Sequence, residues 1–133
     1  MAKSTGLGWT TFSVDDAAGA ARDIRTDVNS LDFATPYDTE DVTGLDKYAI
    51  ERLALLADFK GSFKFTFDPT ANYVHDVLKG DLRVARTMTI TVATQTLPNE
   101  VLLTEYSLTR DSSGSFNGSC PFVLSDGTTP TWA

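Results

Sequence analysis

At 133 residues and 41% hydrophobic composition, the chain is long enough for one domain with a real core and too apolar for wholesale disorder. Eighteen acidic against eleven basic side chains leave a net charge of −7, which excludes a surface built to grip nucleic acid by its phosphates but not one that DNA slides past. A single cysteine, Cys120, excludes an intrachain disulfide and points to cytosolic folding rather than secretion.

The opening Met1-Ala2-Lys3-Ser4-Thr5-Gly6-Leu7 lacks the apolar stretch of a signal peptide, and no later run is apolar for the ~20 residues a membrane helix needs. Trp9 to Val14, aromatic and β-branched, predicts a first strand. Asp15 to Gly19 predicts a turn, and a short second strand comes next around Ile24. Val28 to Phe33 alternates, with Leu31 and Phe33 on one face, until Pro36 breaks it. From Thr35 to Lys47 the chain is polar and acidic, with Asp38, Glu40, Asp41 and Asp46 against one lysine. A loop of this length inside a compact domain is usually functional or disordered, which makes it the segment to watch.

Residues 49–57 have the composition of a helix yet also permit a strand; the break at Gly61 and the alternating run after it favour the strand. Ser62 to Phe67 alternates strictly, with Phe63, Phe65 and Phe67 on one face, and Asp68-Pro69 ends it. About residues 71–79 an apolar stripe of Tyr73, Val74, Val77 and Leu78, closed by Gly80, predicts the one helix. Thr87 to Val92 predicts a strand, Leu97 to Glu100 a loop, and Val101 to Arg110 another strand. After the turn Asp111 to Gly114, Phe116, Gly118, Cys120, Phe122 and Leu124 share one face of a last strand, before Asp126-Gly127 turns the chain towards Trp132. The sum is a mainly β domain of seven or eight strands with one short helix.

Little in this order of residues carries chemistry. His75 is the only histidine, has no cysteine or carboxylate at ligand spacing, and reads as an exposed polar position on the helix. Cys120, between phenylalanines, reads as a buried, inert thiol. The carboxylates Asp15-Asp16 and Asp38 to Asp41 lack the glycine and terminal glutamate of a calcium loop, and the glycine-containing runs at 5–8 and 113–115 lack a phosphate-binding lysine. The phenylalanine stripe could stack bases, but with only Lys60 and Lys64 beside it, it reads as core. No catalytic residue, metal ligand or cofactor is expected, and no enzyme.

The order of motifs resembles the tail tube (major tail) proteins of long-tailed bacteriophages, in the short form found in phages of actinobacteria. The resemblance is carried by Ser30-Leu31-Asp32-Phe33-Ala34-Thr35-Pro36; by the acidic Asp41-Val42-Thr43-Gly44-Leu45-Asp46; and by Ala49-Ile50-Glu51-Arg52-Leu53 leading through Leu55 to Gly61 into the phenylalanine strand. His75-Asp76-Val77-Leu78 and the final Phe122 to Trp132 complete it.

The resemblance implies a β-sandwich or barrel with a flanking helix. Six subunits would close a 24-stranded lumen barrel, and rings would stack into a conduit that delivers the genome into the host. It implies an N-terminal arm at 1–8, a long loop at 35–48 reaching a neighbouring ring, and a C-terminal arm at 128–133. The expected contact residues are Pro36, Tyr37, Val42, Leu45, Tyr48 and Trp132. The expected partners are the chain itself, a tape measure protein, and tail terminator and distal tail proteins. Double-stranded DNA would pass through without specific binding, no membrane would be involved, and the place would be the virion tail, assembled in the host cytoplasm. An acidic lumen lining is expected from the net charge. The rival reading is a capsid decoration protein or a carbohydrate-binding β-sandwich module.

Overall fold

The computed structural model describes residues 3, 5–7 and 9–133; residues 1, 2, 4 and 8, half of the expected N-terminal arm, lie outside the described residues. Ten strands and one short helix run in the order β1 (Thr11–Asp15), β2 (Ala21–Asp23), β3 (Val28–Ala34), β4 (Tyr37–Asp41), β5 (Arg52–Ala57), β6 (Lys60–Thr66), α1 (Val74–Leu78), β7 (Arg86–Val92), β8 (Gln95–Leu103), β9 (Ser107–Arg110) and β10 (Phe116–Leu124). Every pairing is antiparallel. The main sheet runs β2-β1-β7-β8-β10-β6-β3, and β9 lies beside β10 as a branch.

The branch arises because β10 is long and changes partner along its length. Its first half pairs with β9, from Phe116 opposite Arg110 to Ser119 opposite Ser107, and its last three residues pair with β8, Phe122 to Leu124 opposite Leu103 to Val101. On its other side β10 pairs with β6 over seven residues. The sheet is thereby split into two four-stranded halves, β2-β1-β7-β8 and β3-β6-β10-β9, that fold over one another. Their inner faces meet directly: Phe12 of β1 contacts Phe63 of β6 edge-on, with ring centroids 5.2 Å apart.

The core is a product of strand alternation. Phe12 and Val14 of β1, Met88 and Ile90 of β7, Leu97, Val101 and Leu103 of β8, Phe63 and Phe65 of β6, and Cys120 and Phe122 of β10 are all buried. Each large side chain fully removed from water contributes roughly 1.5–3 kcal/mol. The close approach of strands requires two glycines. A Cβ on Gly61 would sit 2.0 Å from the Asp32 carbonyl oxygen, and one on Gly118 would sit 2.6 Å from the Phe65 ring, which lies over that glycine.

Helix α1 covers one end of the core with Val74, Val77 and Leu78, and is held by Arg86. This arginine, the first residue of β7, is fully buried. Its Nη1 donates to the carbonyls of Val77 (2.6 Å) and Asp15 (3.3 Å), and its Nη2 to that of Asp81 (3.0 Å). One side chain thus ties the helix, the end of β1 and the loop after α1 to the sheet. Burial pushes its pKa down from the ordinary arginine value, with the Asp15, Asp16 and Asp81 carboxylates opposing that shift.

Several expectations need correction. The helix spans Val74–Leu78 rather than 71–79, because Asp68 and Asn72 shape a turn first: Thr70 N–H bonds to the Asp68 carboxylate, and Asn72 has φ +69°. Residues 97–100 are not a loop but the middle of β8. Thr96 aims both its N–H and its C=O away from β7, exchanging bonds with Ala133 (2.9 and 2.8 Å). Pro98, two residues on, therefore lacks its N–H on that same side and costs the β7 ladder nothing. The strand expected from Val101 to Arg110 is two strands separated at Thr104 to Tyr106, where β10 exchanges partners. His75 is not exposed: it is half-buried against the Phe67 ring (4.8 Å), with its Nδ1 2.8 Å from the Tyr106 hydroxyl.

Candidate assembly interface

Among the described residues no three or more His, Cys, Asp or Glu side chains gather as a metal site would need, and no helix is long and apolar enough to cross a membrane. Cys120 is fully buried and burial pushes its thiol up to about 12, far from a nucleophile's range. What the structure offers instead is unpaired surface.

The most prominent such surface is a hairpin. The expected loop at 35–48 contains strand β4, which pairs with β5, and the segment 49–57 that could be read as helix supplies that strand. The β4–β5 ladder continues the β3–β6 ladder. Ala34 stands opposite Lys60 and Tyr37 opposite Ala57 in unchanged register, and between them the Asp58 N–H bonds to the Pro36 carbonyl at 2.8 Å. Residues 28–66 are therefore one long hairpin whose base belongs to the body and whose outer half projects. Pro36 interrupts the ladder where body gives way to projection, because it has no N–H to return. A bulge between Tyr37 and Thr39 comes next. Beyond the strands, Thr43 braces the turn: its Oγ1 donates to the Asp41 carboxylate (2.6 Å) and accepts the Glu51 N–H (2.8 Å).

Every residue of β4 and β5 is exposed. Tyr37 and Ala57 lie on the face that continues inward to Phe59 and Phe63 in the core; beyond the bulge Thr39 stands opposite Ala54 and Glu40 opposite Leu53, so Leu53 falls on the other face. As far as the bulge, the core face of the sheet thus runs off the body onto a projection that none of the described residues covers. Leu53, Leu55 and Tyr37 are 52%, 48% and 60% exposed. Leu55 and Leu56, the latter 84% exposed, fall in the bulge, and Asp41 and Arg52 pair at the outer end of the strands. An uncovered apolar projection of this kind is a candidate interaction surface.

Of the expected contact residues, Tyr37, Val42, Leu45 and Tyr48 lie exposed on this hairpin, and Pro36 is half-buried at its root. Leu45 and Tyr48 stand wholly in solvent at the turn. Trp132 is elsewhere: its ring packs on Phe33 of β3 with centroids 6.2 Å apart. The C-terminal segment therefore lies along its own subunit, crossing to pair with Thr96 of β8. The sequence reading missed Ile50, Leu53, Leu55 and Leu56, the second arm of the hairpin. The available signal was an apolar run of mixed period with no single buried face.

Two sheet edges are also unpaired. The half-sheet β3-β6-β10-β9 ends in β3 on one side and β9 on the other, and neither has a further strand partner among the described residues. The face of this half turned away from the core carries Asp32, Ser62, Lys64, Thr66, Asn117 and Ser119, mostly small and polar. Between the start of β1 and the start of β3 lies a cleft of about 340 Å³, lined by Trp9, Phe12, Val28 and Leu31 with Arg25 and Asn29 at its polar side.

No family model and no curated protein matches the sequence. Solved structures do match in shape. A chain of the virion of a native gene transfer agent particle superposes with a TM-score of 0.71 at 12% identity, covering 97% of this chain and 99% of that one. A chain of the tail of an empty gene transfer agent particle, refined with helical C6 symmetry, superposes with a TM-score of 0.69 at 13% identity, covering 98% of each chain. The mainly β, antiparallel fold with one short helix is thus the fold of these chains over essentially their whole length.

Proposed function

We propose that this chain is the structural subunit of a phage-type tail tube. Six copies close a ring, rings stack, and the tube conducts double-stranded DNA without enzymatic action of its own. The observation that carries this reading is the half-sheet β3-β6-β10-β9. It has four strands, both of its outer edges lack partners, and six copies joined edge to edge give a closed 24-stranded barrel with no edge left over. The whole-length likeness to a chain of a C6-symmetric tail supports the same arrangement. The projecting hairpin, acidic through Asp38, Glu40, Asp41, Asp46 and Glu51 and apolar along Tyr37, Leu53 and Leu55, serves as the contact to a neighbouring copy.

On this reading the bore is lined by the outer face of β3-β6-β10-β9. That face carries Lys60 and Lys64 alongside Asp32, amid serines, threonines and asparagine, and neither lysine makes an ion pair among the described residues. The bore is then short-chained, polar and close to neutral, in place of the acidic lining expected from net charge, and five of the eighteen acidic residues sit on the projecting hairpin. The location is the virion tail, with assembly in the host cytoplasm. Tape measure, terminator and distal tail proteins are the further partners.

Negative-stain micrographs of concentrated purified protein test the proposal. Tubes or rings with sixfold class averages are expected. A persistent monomer, or a closed ring of another order, would overturn it, and threefold or capsid-bound particles would favour the decoration reading.

A further inference from the structure

The hairpin and the cleft lie at opposite ends of the same strand. β3 runs from Val28, which lines the cleft, to Ala34, at the root of the projection; its seven residues span about 20 Å. At the far end of the projection, Leu45 and Tyr48 are as exposed as side chains can be, with Asp46 and Lys47 between them and Asp41 and Glu51 behind, so that the tip keeps a net negative charge. At the other end, Trp9, Phe12, Val28 and Leu31 present an apolar cleft whose one charged lining residue is a cation, Arg25. The Arg25 guanidinium is held in place rather than loose. Its Nη1 donates to the Trp9 carbonyl (2.7 Å) and to the Thr10 carbonyl, and its Nε lies 3.4 Å from Asp23, with the side chain still 45% exposed.

We infer that the cleft of one copy receives the hairpin turn of the next, with Leu45 and Tyr48 entering between Trp9 and Leu31 and the turn's carboxylates facing Arg25. This inference rests on the tube reading above and names the surface that the stacking hairpin meets. Apolar tip matches apolar cleft, and acid matches base. Because donor and receiver are different surfaces at opposite ends of one strand, the contact is heterologous and head-to-tail. Such a contact repeats without limit along the strand direction, as stacking requires, whereas a self-complementary patch would stop at a pair.

The asymmetry gives a decisive test. A tip-blocked variant (Leu45→Asp with Tyr48→Asp) and a cleft-blocked variant (Arg25→Glu with Ser30→Trp) each alter exposed positions. Each alone should form rings that do not stack. Mixed in equal amounts, they should form a finite two-layer species, since one keeps its cleft and the other its tip. A second measurement does not depend on those variants folding. Tyr48→Cys combined with Ser30→Cys should give a ladder of disulfide-linked multimers under mild oxidation, which neither single variant gives, because Cys120 is buried and its thiol is pushed up to about 12. Stacked rings without the 48–30 cross-link, a purely intramolecular cross-link, or tip-blocked protein that stacks normally would overturn this docking and leave the tube reading standing. Wild-type protein that forms no rings under any condition would remove both.

Discussion

At the scale of single residues, the buried polar groups give sharper expectations than the surface. Arg86 fills a buried site with three carbonyl partners, so Arg86→Met keeps much of the volume but strands those acceptors. Each buried acceptor left unmade costs about 1–3 kcal/mol, and the variant should lose about 2–4 kcal/mol in denaturant unfolding. Asp27 presents a pH dependence of the less common sign. Its carboxylate accepts the Val74 N–H at 3.2 Å at the start of α1, but burial, together with the neighbouring Asp68 carboxylate, raises its pKa above the ordinary aspartate value. A carboxyl raised in the folded state binds its proton more tightly there than in the unfolded chain. Its contribution is therefore full at low pH and is lost as pH rises through the raised value. Asp27→Asn, which mimics the protonated form and keeps an acceptor for Val74, should melt at or above the wild type at neutral pH. The gap should close as pH falls into the ordinary carboxylate range. A variant that melts lower at pH 7 and equally at pH 3 would show that the ionised form is the stabilising one.

At the scale of elements, β3 and β6 depend on a close approach that only glycine allows. A Cβ at Gly61 would meet the Asp32 carbonyl oxygen at 2.0 Å, and backbone cannot move aside as a side chain tip can. Gly61→Ala should cost more than about 3 kcal/mol, beyond the usual range for an added methyl group, and should lower the yield of folded protein. The strict alternation of Ser62 to Phe67 made β6 legible from sequence, because one face is buried and the other is wet. The same logic made β1, β3, β7 and β10 legible. It gave no signal for β4, and β5 was favoured as a strand only by the run that follows it, since both faces are exposed in the isolated subunit and no period is imposed on Leu53, Leu55 and Leu56 by the chain's own core. It failed for Leu97 to Glu100 because Pro98 looked like a breaker, when the side it faces is the one where β8 has lost its strand partner. The exposed side chains on the first arm of the hairpin were singled out by position, through the resemblance. Those on the second arm were hidden by helix-like composition, because what decides their conformation is pairing with β4 and not intrinsic preference.

At the scale of the whole molecule, the question is where one subunit ends and the next begins, and backbone hydrogen bonds answer it most directly. In the β3–β6 ladder the bond from Asp58 N–H to the Pro36 carbonyl fixes the phase. With unchanged register, Ser30, Asp32 and Ala34 direct their amides to β6, and Leu31 and Phe33 direct theirs outward. The side chains of Leu31 and Phe33 pack against the core, yet their N–H groups lie on an edge with no strand partner among the described residues. If that edge is the seam of the ring, these two amides gain carbonyl partners from the β9 edge of the adjacent copy. Hydrogen exchange resolved by residue should then show Leu31 and Phe33 exchanging fast in the dissociated subunit and slowly in the assembled tube. Ser30, Asp32 and Ala34 should be protected in both. The β9 amides on the edge away from β10 should change in step with Leu31 and Phe33, since the same bonds protect both strands. General tightening of the fold on assembly would slow all five β3 amides together, and only seam formation slows the outward pair alone. Leu31 and Phe33 that exchange as fast in the tube as in the free subunit would place the seam elsewhere, and the four-stranded half-sheet would then be an inner feature of each subunit and not a sixth of a barrel.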